Sequence, residues 1–258
     1  MIAMIYEATP FQKASALFDG WEETLIWSCL QGIMGKLYVD HTITPTAGMI
    51  LLGDFCFFAG IPNEELVRYK PTSCTQQFII MVPQTAQWAV LIEQVYGKRA
   101  TRVLRYATKK EKNSFDRQQL EQVISKIPSG FLLHKIDETL FHKCQKIAWC
   151  RDWVSQYKDY EQYQKYGLGI VLLSENEPVS GASSYSSYLE GIEIEIDTKK
   201  EYRKRGFAYI CGAKLILECI EKGLYPSWDA QNKWSLALAQ KLGYHFAYEY
   251  IAYEIDRY

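Results

Sequence analysis

Apolar positions recur at helical spacing from Phe11 to Gln31, and Gly32 and Gly35 then interrupt the pattern, which predicts one or two helices. The runs Ile33–Val39 and Ala47–Ala59 are rich in β-branched and aromatic residues and are separated by the turn-prone residues 44–48; both read as strands. A strand over Gln77–Val82, a helix over Gln84–Tyr96 ended by Gly97, and a strand over Ala100–Ala107 follow. The polar, charged stretch Lys109–Ser114 then reads as a linker. It divides the chain into an N-terminal α/β domain over residues 1–112 and a second domain over 113–258.

In the second domain the pattern predicts a helix over Asp116–Lys126, a strand over Phe131–Ile136, and two helices within Glu138–Tyr166 with a break near Trp149–Asp152. Three strands, Leu168–Ser174, Val179–Tyr188 and Ile192–Thr198, are joined by turn signals at Asn176–Pro178 and Glu190–Gly191 and form an antiparallel meander. A helix over Arg205–Lys222, a short strand over Leu224–Trp228, a helix over Asn232–Leu242 and a strand pair over Tyr244–Ile255 complete the chain. The fold class is α/β with a mixed sheet, in the order β-α-α-β-β-β-α-β-α-β. A constant offset of 146 (206 less 60) superposes Gly60 on Gly206, Trp88 on Trp234 and Gly97 on Gly243. This leaves open a diverged duplication against a chance match.

Composition narrows the function classes. With 29 basic and 30 acidic side chains the net charge is -1, so no global field draws the protein to nucleic acid or anionic lipid. No run of apolar residues is long enough for a membrane span, and no export signal opens the chain. Seven cysteines without a C-x-x-C pair fit reduced thiols and a cytoplasmic protein. The four histidines, His41, His134, His142 and His245, have no metal-ligand spacing, and no metal is expected. Ser180–Ser184 lacks the Gly-x-Ser-x-Gly spacing of a hydrolase elbow.

Tyr202-Arg203-Lys204-Arg205-Gly206-Phe207-Ala208 lies between a strand and a strong helix. A helix start offers unpaired N–H groups and partial positive charge to an anion. Gly206 admits close approach, Ala208 keeps the next turn small, and the three cations add charge. A diphosphate site and a basic, solvated helix start both suit the loop taken alone.

The chain resembles the GCN5-related N-acetyltransferase superfamily. Arg203, Gly206 and Ala208 match its pyrophosphate-loop pattern Arg/Gln-x-x-Gly-x-Gly/Ala, and Trp228–Asn232, Ser235 and Leu242-Gly243-Tyr244 match its second motif. The order of elements from Phe131 to Ile255 is also that of the family, and the wording of the second motif points to a two-domain bacterial branch. The resemblance implies an acyl-coenzyme A N-acyltransferase fold in the C-terminal half, with the N-terminal domain a degenerate copy or a domain of other role. It implies acetyl-coenzyme A as acyl donor. The backbone of Ile196, Asp197 and Thr198 would pair with the pantetheine arm, and the loop Arg203, Lys204, Arg205, Gly206, Phe207 and Ala208 would hold the pyrophosphate. Asn232 and Ser235 would lie near the thioester, across a splay between the strand ending at Thr198 and the one ending at Trp228.

Acyl transfer to an amine needs a base and donors for the tetrahedral oxyanion. Glu193, Glu195 and Asp197 alternate with Ile192, Ile194 and Ile196 and share one strand face. Buried carboxylates are costly unless they bind a cation or act as bases. Glu195 is the first candidate for base, direct or through water, and Glu193 the second. The family's thiolate-protonating tyrosine falls on Ala239, with Tyr250 and Tyr253 among the substitutes and no spacing to select one. Trp149, Trp153, Tyr157, Tyr160, Tyr163 and Tyr166 give the second helical segment an aromatic face, for core packing or for the rim of an acceptor pocket. The expected function is N-acetylation of a primary amine on a small molecule. A protein acetyltransferase and a non-catalytic acyl-coenzyme A sensor are the alternatives, and a homodimer stays open.

Overall fold

The computed structural model describes residues 4–8 and 13–258, so Phe11 and Gln12 of the first expected helix lie outside the described residues. The chain divides into two units: residues up to Arg105 together with Glu249–Tyr258, and Tyr106–Tyr248.

The first unit runs β1 (Tyr6–Ala8), a 3-10 helix (Lys13–Phe18), α1 (Thr24–Leu30), β2 (Lys36–Val39), β3 (Ala47–Leu52), β4 (Phe55–Gly60), α2 (Glu64–Arg68), β5 (Phe78–Pro83), α3 (Ala86–Tyr96) and most of β6 (Ala100–Thr108). β1 to β4 pair antiparallel in sequence order, and β4 then pairs parallel with β5. The single strand expected over Ala47–Ala59 is a hairpin, because Gly53 takes φ +61 and reverses the chain before Phe55. α2 was not expected; Asn63 caps it by accepting from the Leu66 N–H, and Glu64 and Glu65 occupy its first turn. Trp88, Phe58, Met49, Met81 and Tyr38 centre its core.

The second unit runs α4 (Arg117–Ile124), β7 (Phe131–Lys135), α5 (Glu138–Lys146), a 3-10 helix (Ala148–Trp153), α6 (Tyr160–Tyr166), β8 (Gly169–Ser174), β9 (Glu177–Tyr188), β10 (Gly191–Thr198), α7 (Phe207–Glu221), β11 (Tyr225–Ser227), β12 (Asp229–Ala230), α8 (Lys233–Leu242) and the start of β13 (Phe246–Asp256). β7 to β10 form the expected antiparallel meander and β11 adds parallel to β10. Asp137, Asp159 and Asn232 cap α5, α6 and α8 through their side chains. α7 lays Ile210, Leu215, Ile216 and Cys219 into a core shared with Ile192, Ile194, Leu172 and Ala182 of the strands.

Two features differ from the sequence reading. The strand pair expected over Tyr244–Ile255 is one strand, β13, since no glycine or proline breaks that run. Its last residues, Tyr253–Asp256, pair with Phe78–Met81 of β5 in the first unit. In turn, Ala107 and Tyr106 at the end of β6 pair with β12 in the second. The division therefore differs from residues 112 and 113 at both ends: Lys109–Ser114 is a polar turn inside the second unit, and a polar turn need not coincide with a change of core.

Candidate active site

The loop after β10 is built by local sequence. Lys204 and Gly206 both adopt left-handed backbone, at φ +62 and +81. Gly206 is exposed, and a Cβ placed on it would meet nothing within 4 Å. Next to it, Phe207 is buried against Phe131 and Tyr202, with ring centroids 4.7 and 6.2 Å away; this packing fixes where α7 begins. No side chain caps α7 and no acid stands in its first turn, so the helix start keeps its N–H groups and positive dipole end available to an anion. Arg203, Lys204 and Arg205 are exposed beside it. Arg205 lies over the Tyr202 ring at 5.1 Å. Arg203 folds back, donating from Nε to the Thr198 carbonyl at 2.9 Å and from its guanidinium to Asp197 at 3.2 Å.

The strands beside the loop separate. The ladder between β10 and β11 covers only Gly191–Glu193 and Tyr225–Ser227, whereas β10 runs on to Thr198. Beyond Ser227 the chain turns to β6: the Thr108 hydroxyl donates to the Trp228 carbonyl at 2.6 Å, and Asp229 stands opposite Ala107. Glu195, Ile196 and Asp197, past the end of the ladder, are half-buried between buried neighbours.

The three acids of β10 have different surroundings. Glu193 is 5% exposed, and its Oε1 accepts the Asp229 backbone N–H at 2.6 Å. Asp197 accepts the Thr198 N–H at 2.6 Å in addition to Arg203. Glu195 stands opposite Ser183 of β9. Burial pushes the Tyr225 hydroxyl up to about 12, with the nearby Glu193 charge acting in the same direction, and Tyr188 is pushed up by burial and Glu193 as well. Both phenols therefore keep their protons at neutral pH.

Asn232 and Ser235 sit at the start of α8. Asn232 accepts from the Trp234 and Ser235 N–H groups, each at 3.0 Å, and the Ser235 hydroxyl accepts from Trp228 Nε1 at 3.0 Å. Both residues thus hold the second motif in shape. Ala239 is fully buried in the core, Tyr250 and Tyr253 belong to the first unit, and the Tyr253 hydroxyl donates to Glu93 at 2.5 Å.

A buried hydroxyl seam along β9 went unread in the sequence. Tyr157 bridges Ser184 and Ser187 at 2.6 and 2.7 Å, Tyr163 meets Ser183 at 2.9 Å, and Ser180 meets Thr198 at 2.7 Å. Tyr157 and Tyr163 therefore pack onto the sheet through matched hydroxyls, whereas the buried Trp153 indole N–H and Ser186 hydroxyl have no hydrogen-bond partner among the described residues. Burial pushes the Tyr157 hydroxyl up to about 12. The available signal was a serine-rich strand flanked by apolar ones. Among the described residues no group of three or more His, Cys, Asp or Glu side chains could hold a metal, and no helix is long and apolar enough to cross a membrane.

The sheet's parallel pair parts after Glu193, beside an uncapped helix start flanked by cations, and the family match makes the chain an acyltransferase. The chain belongs to the GNAT acetyltransferase family, whose model matches residues 15–253. It is 45% identical to the GCN5-related N-acetyltransferase-like protein of Streptococcus suis, whose crystal structure superposes with a TM-score of 0.89 over 94% of this chain and 97% of that one. It is 26% identical to YdfB, an uncharacterized N-acetyltransferase of Bacillus subtilis, over 94% of this chain and 95% of the relative. At the level of fold alone it matches a tandem GNAT protein from the clavulanic acid biosynthesis pathway, with 9% identity, a TM-score of 0.57, and 99% of this chain and 98% of that one covered.

Proposed function

We propose that the second unit transfers an acetyl group from acetyl-coenzyme A to the primary amine of a small molecule. The observation that carries this reading is the end of the β10–β11 ladder at Glu193 next to an exposed, left-handed Gly206 at an uncapped helix start. The backbone of Ile196 and Asp197 pairs with the pantetheine arm as an added strand, which ends before Thr198 because the Thr198 N–H and carbonyl are taken by Asp197 and Arg203. The N–H groups of Arg205–Ala208 take the pyrophosphate, and Lys204 and Arg205 supply charge. Arg203 holds the end of β10 to the loop through Thr198 and Asp197. Asn232 and Ser235 shape the wall near the thioester.

Glu195, half-buried past the end of the ladder, is the base that strips the ammonium, directly or through one water, before the amine attacks the thioester carbon. The tetrahedral intermediate collapses with loss of coenzyme A thiolate, whose low basicity lets it leave without the tyrosine that Ala239 replaces, and the second proton of the attacking nitrogen passes to the thiolate or to solvent. That replacement also favours a second reading, an acyl-coenzyme A sensor without turnover. The seven free thiols suit a reducing compartment, and we place the reaction in the cytoplasm.

The first unit is read as a copy of the same fold without a coenzyme slot. From β7 onward, β12 apart, the second unit follows the same order of strands and helical segments, and Gly97 and Gly243 both end a helix at positive φ, +53 and +109.

Release of thiol from acetyl-coenzyme A, followed against a panel of small amines, should exceed the blank with at least one acceptor. Cofactor binding without turnover across the panel selects the sensor. Glu195→Gln should lower kcat at neutral pH by about 100-fold or more, as loss of a general base does, with coenzyme A affinity unchanged. An unaltered kcat removes Glu195 from the mechanism.

A further inference from the structure

The Asp229 backbone N–H and the Glu193 side chain meet where the two parallel strands part. In an antiparallel pair, successive residues turn their backbone groups alternately toward and away from the partner. Asp229 stands opposite Ala107 of β6, yet its N–H goes to Glu193 of β10; it is one that turns away. Had the ladder from Glu193↔Ser227 continued in register, residue 229 would stand beside residue 195 and β11 would close on β10. A side chain accepts that amide instead of a β10 carbonyl. At the same level β9 carries one extra residue, Tyr185, between the pairs Glu193↔Ser186 and Ile194↔Ser184, and such a bulge bends and twists a strand. Glu193 is buried, and a buried carboxylate is costly unless it is hydrogen-bonded.

We propose that Glu193 is a positioning residue that sets the opening between β10 and β11, by satisfying the Asp229 amide that would otherwise zip the strands together. This rests on reading that opening as the coenzyme A slot. The role needs an acceptor of the right length. It does not need a proton to move.

Three variants test it, with coenzyme A binding by calorimetry, donor KM and kcat with the best amine, and hydrogen exchange of the Asp229 amide. Glu193→Gln keeps an acceptor oxygen and should bind coenzyme A within about threefold of the parent, with the Asp229 amide still protected. Glu193→Ala, and Glu193→Asp with its shorter reach, should weaken binding on the order of tenfold, the scale of one lost buried hydrogen bond. Both should raise donor KM more than they lower kcat and speed exchange at Asp229. Glu193→Asp decides the matter if Glu193→Ala does not fold. Parent-like affinity in both shortened variants overturns the proposal. So does a collapse of kcat in Glu193→Gln at saturating donor, which would make Glu193 the base. If the parent protein binds no coenzyme A, the slot reading fails, while exchange at Asp229 still decides the tether.

Discussion

β4 and β5 in the first unit and β10 and β11 in the second are both parallel neighbours, each pair preceded by an antiparallel partner of its first strand and joined through a helix. The first pair is sewn to its end. Its ladder runs from Phe55 to Phe58, the Gln84 N–H extends it to the Phe58 carbonyl at 3.0 Å, and the Gln84 side chain accepts from the Gly60 N–H at 3.0 Å. Trp88 then donates from its indole to the Gly60 carbonyl at 2.9 Å. A Cβ on Gly60 would stand 2.2 Å from the Thr46 carbonyl, whereas Gly206 faces open space. The helices differ in the same sense: α2 has five residues and two acids in its first turn, and α7 has fifteen and none. Trp88 is fully buried, while Trp234, at the matching sequence position, is 86% exposed. One order of elements thus yields a sewn pair in one unit and a parted pair in the other, and the difference lies in a handful of side chains at the strand ends.

The largest test removes the seam's anchor. Trp88→Ala should destabilise the protein by about 3–5 kcal/mol, as large-to-small changes of a buried tryptophan do, read as a lower denaturant midpoint; coenzyme A affinity of the remaining folded protein should not change. A loss of affinity would mean that the first unit contributes to the slot. Gly206→Glu should act in the opposite way, weakening coenzyme A binding by about 100-fold through charge and bulk at the anion site, with stability reduced by only ~1–2 kcal/mol from the left-handed backbone. Unchanged binding would remove the loop from the site.

A smaller effect concerns what holds α7 in place. Burial alone would raise the Glu218 carboxyl, but hydrogen bonds from Lys135 and Lys214, at 2.6 and 2.8 Å, outweigh it and hold the group below the usual carboxylate range. A depressed folded-state pKa gives stability that is present above the unfolded value and lost as pH falls through the folded one. Glu218→Gln should therefore cost about 1–3 kcal/mol at neutral pH, and the gap to the parent should close in acid. A gap independent of pH would show that the charge contributes nothing.

Much of the second unit was readable because its signals are local. Gly206 before an apolar helix, the Asn232 cap and Gly243 at a helix end each act within a few residues of themselves, and the elements they predict lie close to the observed ones. The β3–β4 hairpin was missed because its apolar run is interrupted only by Gly53 and Asp54. The distinct surroundings of Glu193, Glu195 and Asp197 were hidden for another reason. Alternation placed them on one face, but the bonds from Asp229 and Arg203 that separate them come from other segments, and a one-residue bulge in β9 shifts the register. The seam at Gln84 and Trp88 was equally silent, since neither residue differs in type from an ordinary helix start.

The exchange of strand ends ties the two ends of the sequence together. Tyr253–Asp256 complete the edge of β5, so a chain that stopped after Arg105 would present a bare row of N–H and C=O groups there, an invitation to aggregate. Each half lends the other a piece of backbone, and the pairing joins residues far apart in sequence, which slows folding and makes it interdependent. Removing either half would leave the other with an unpaired strand end, whatever chemistry the removed half performs.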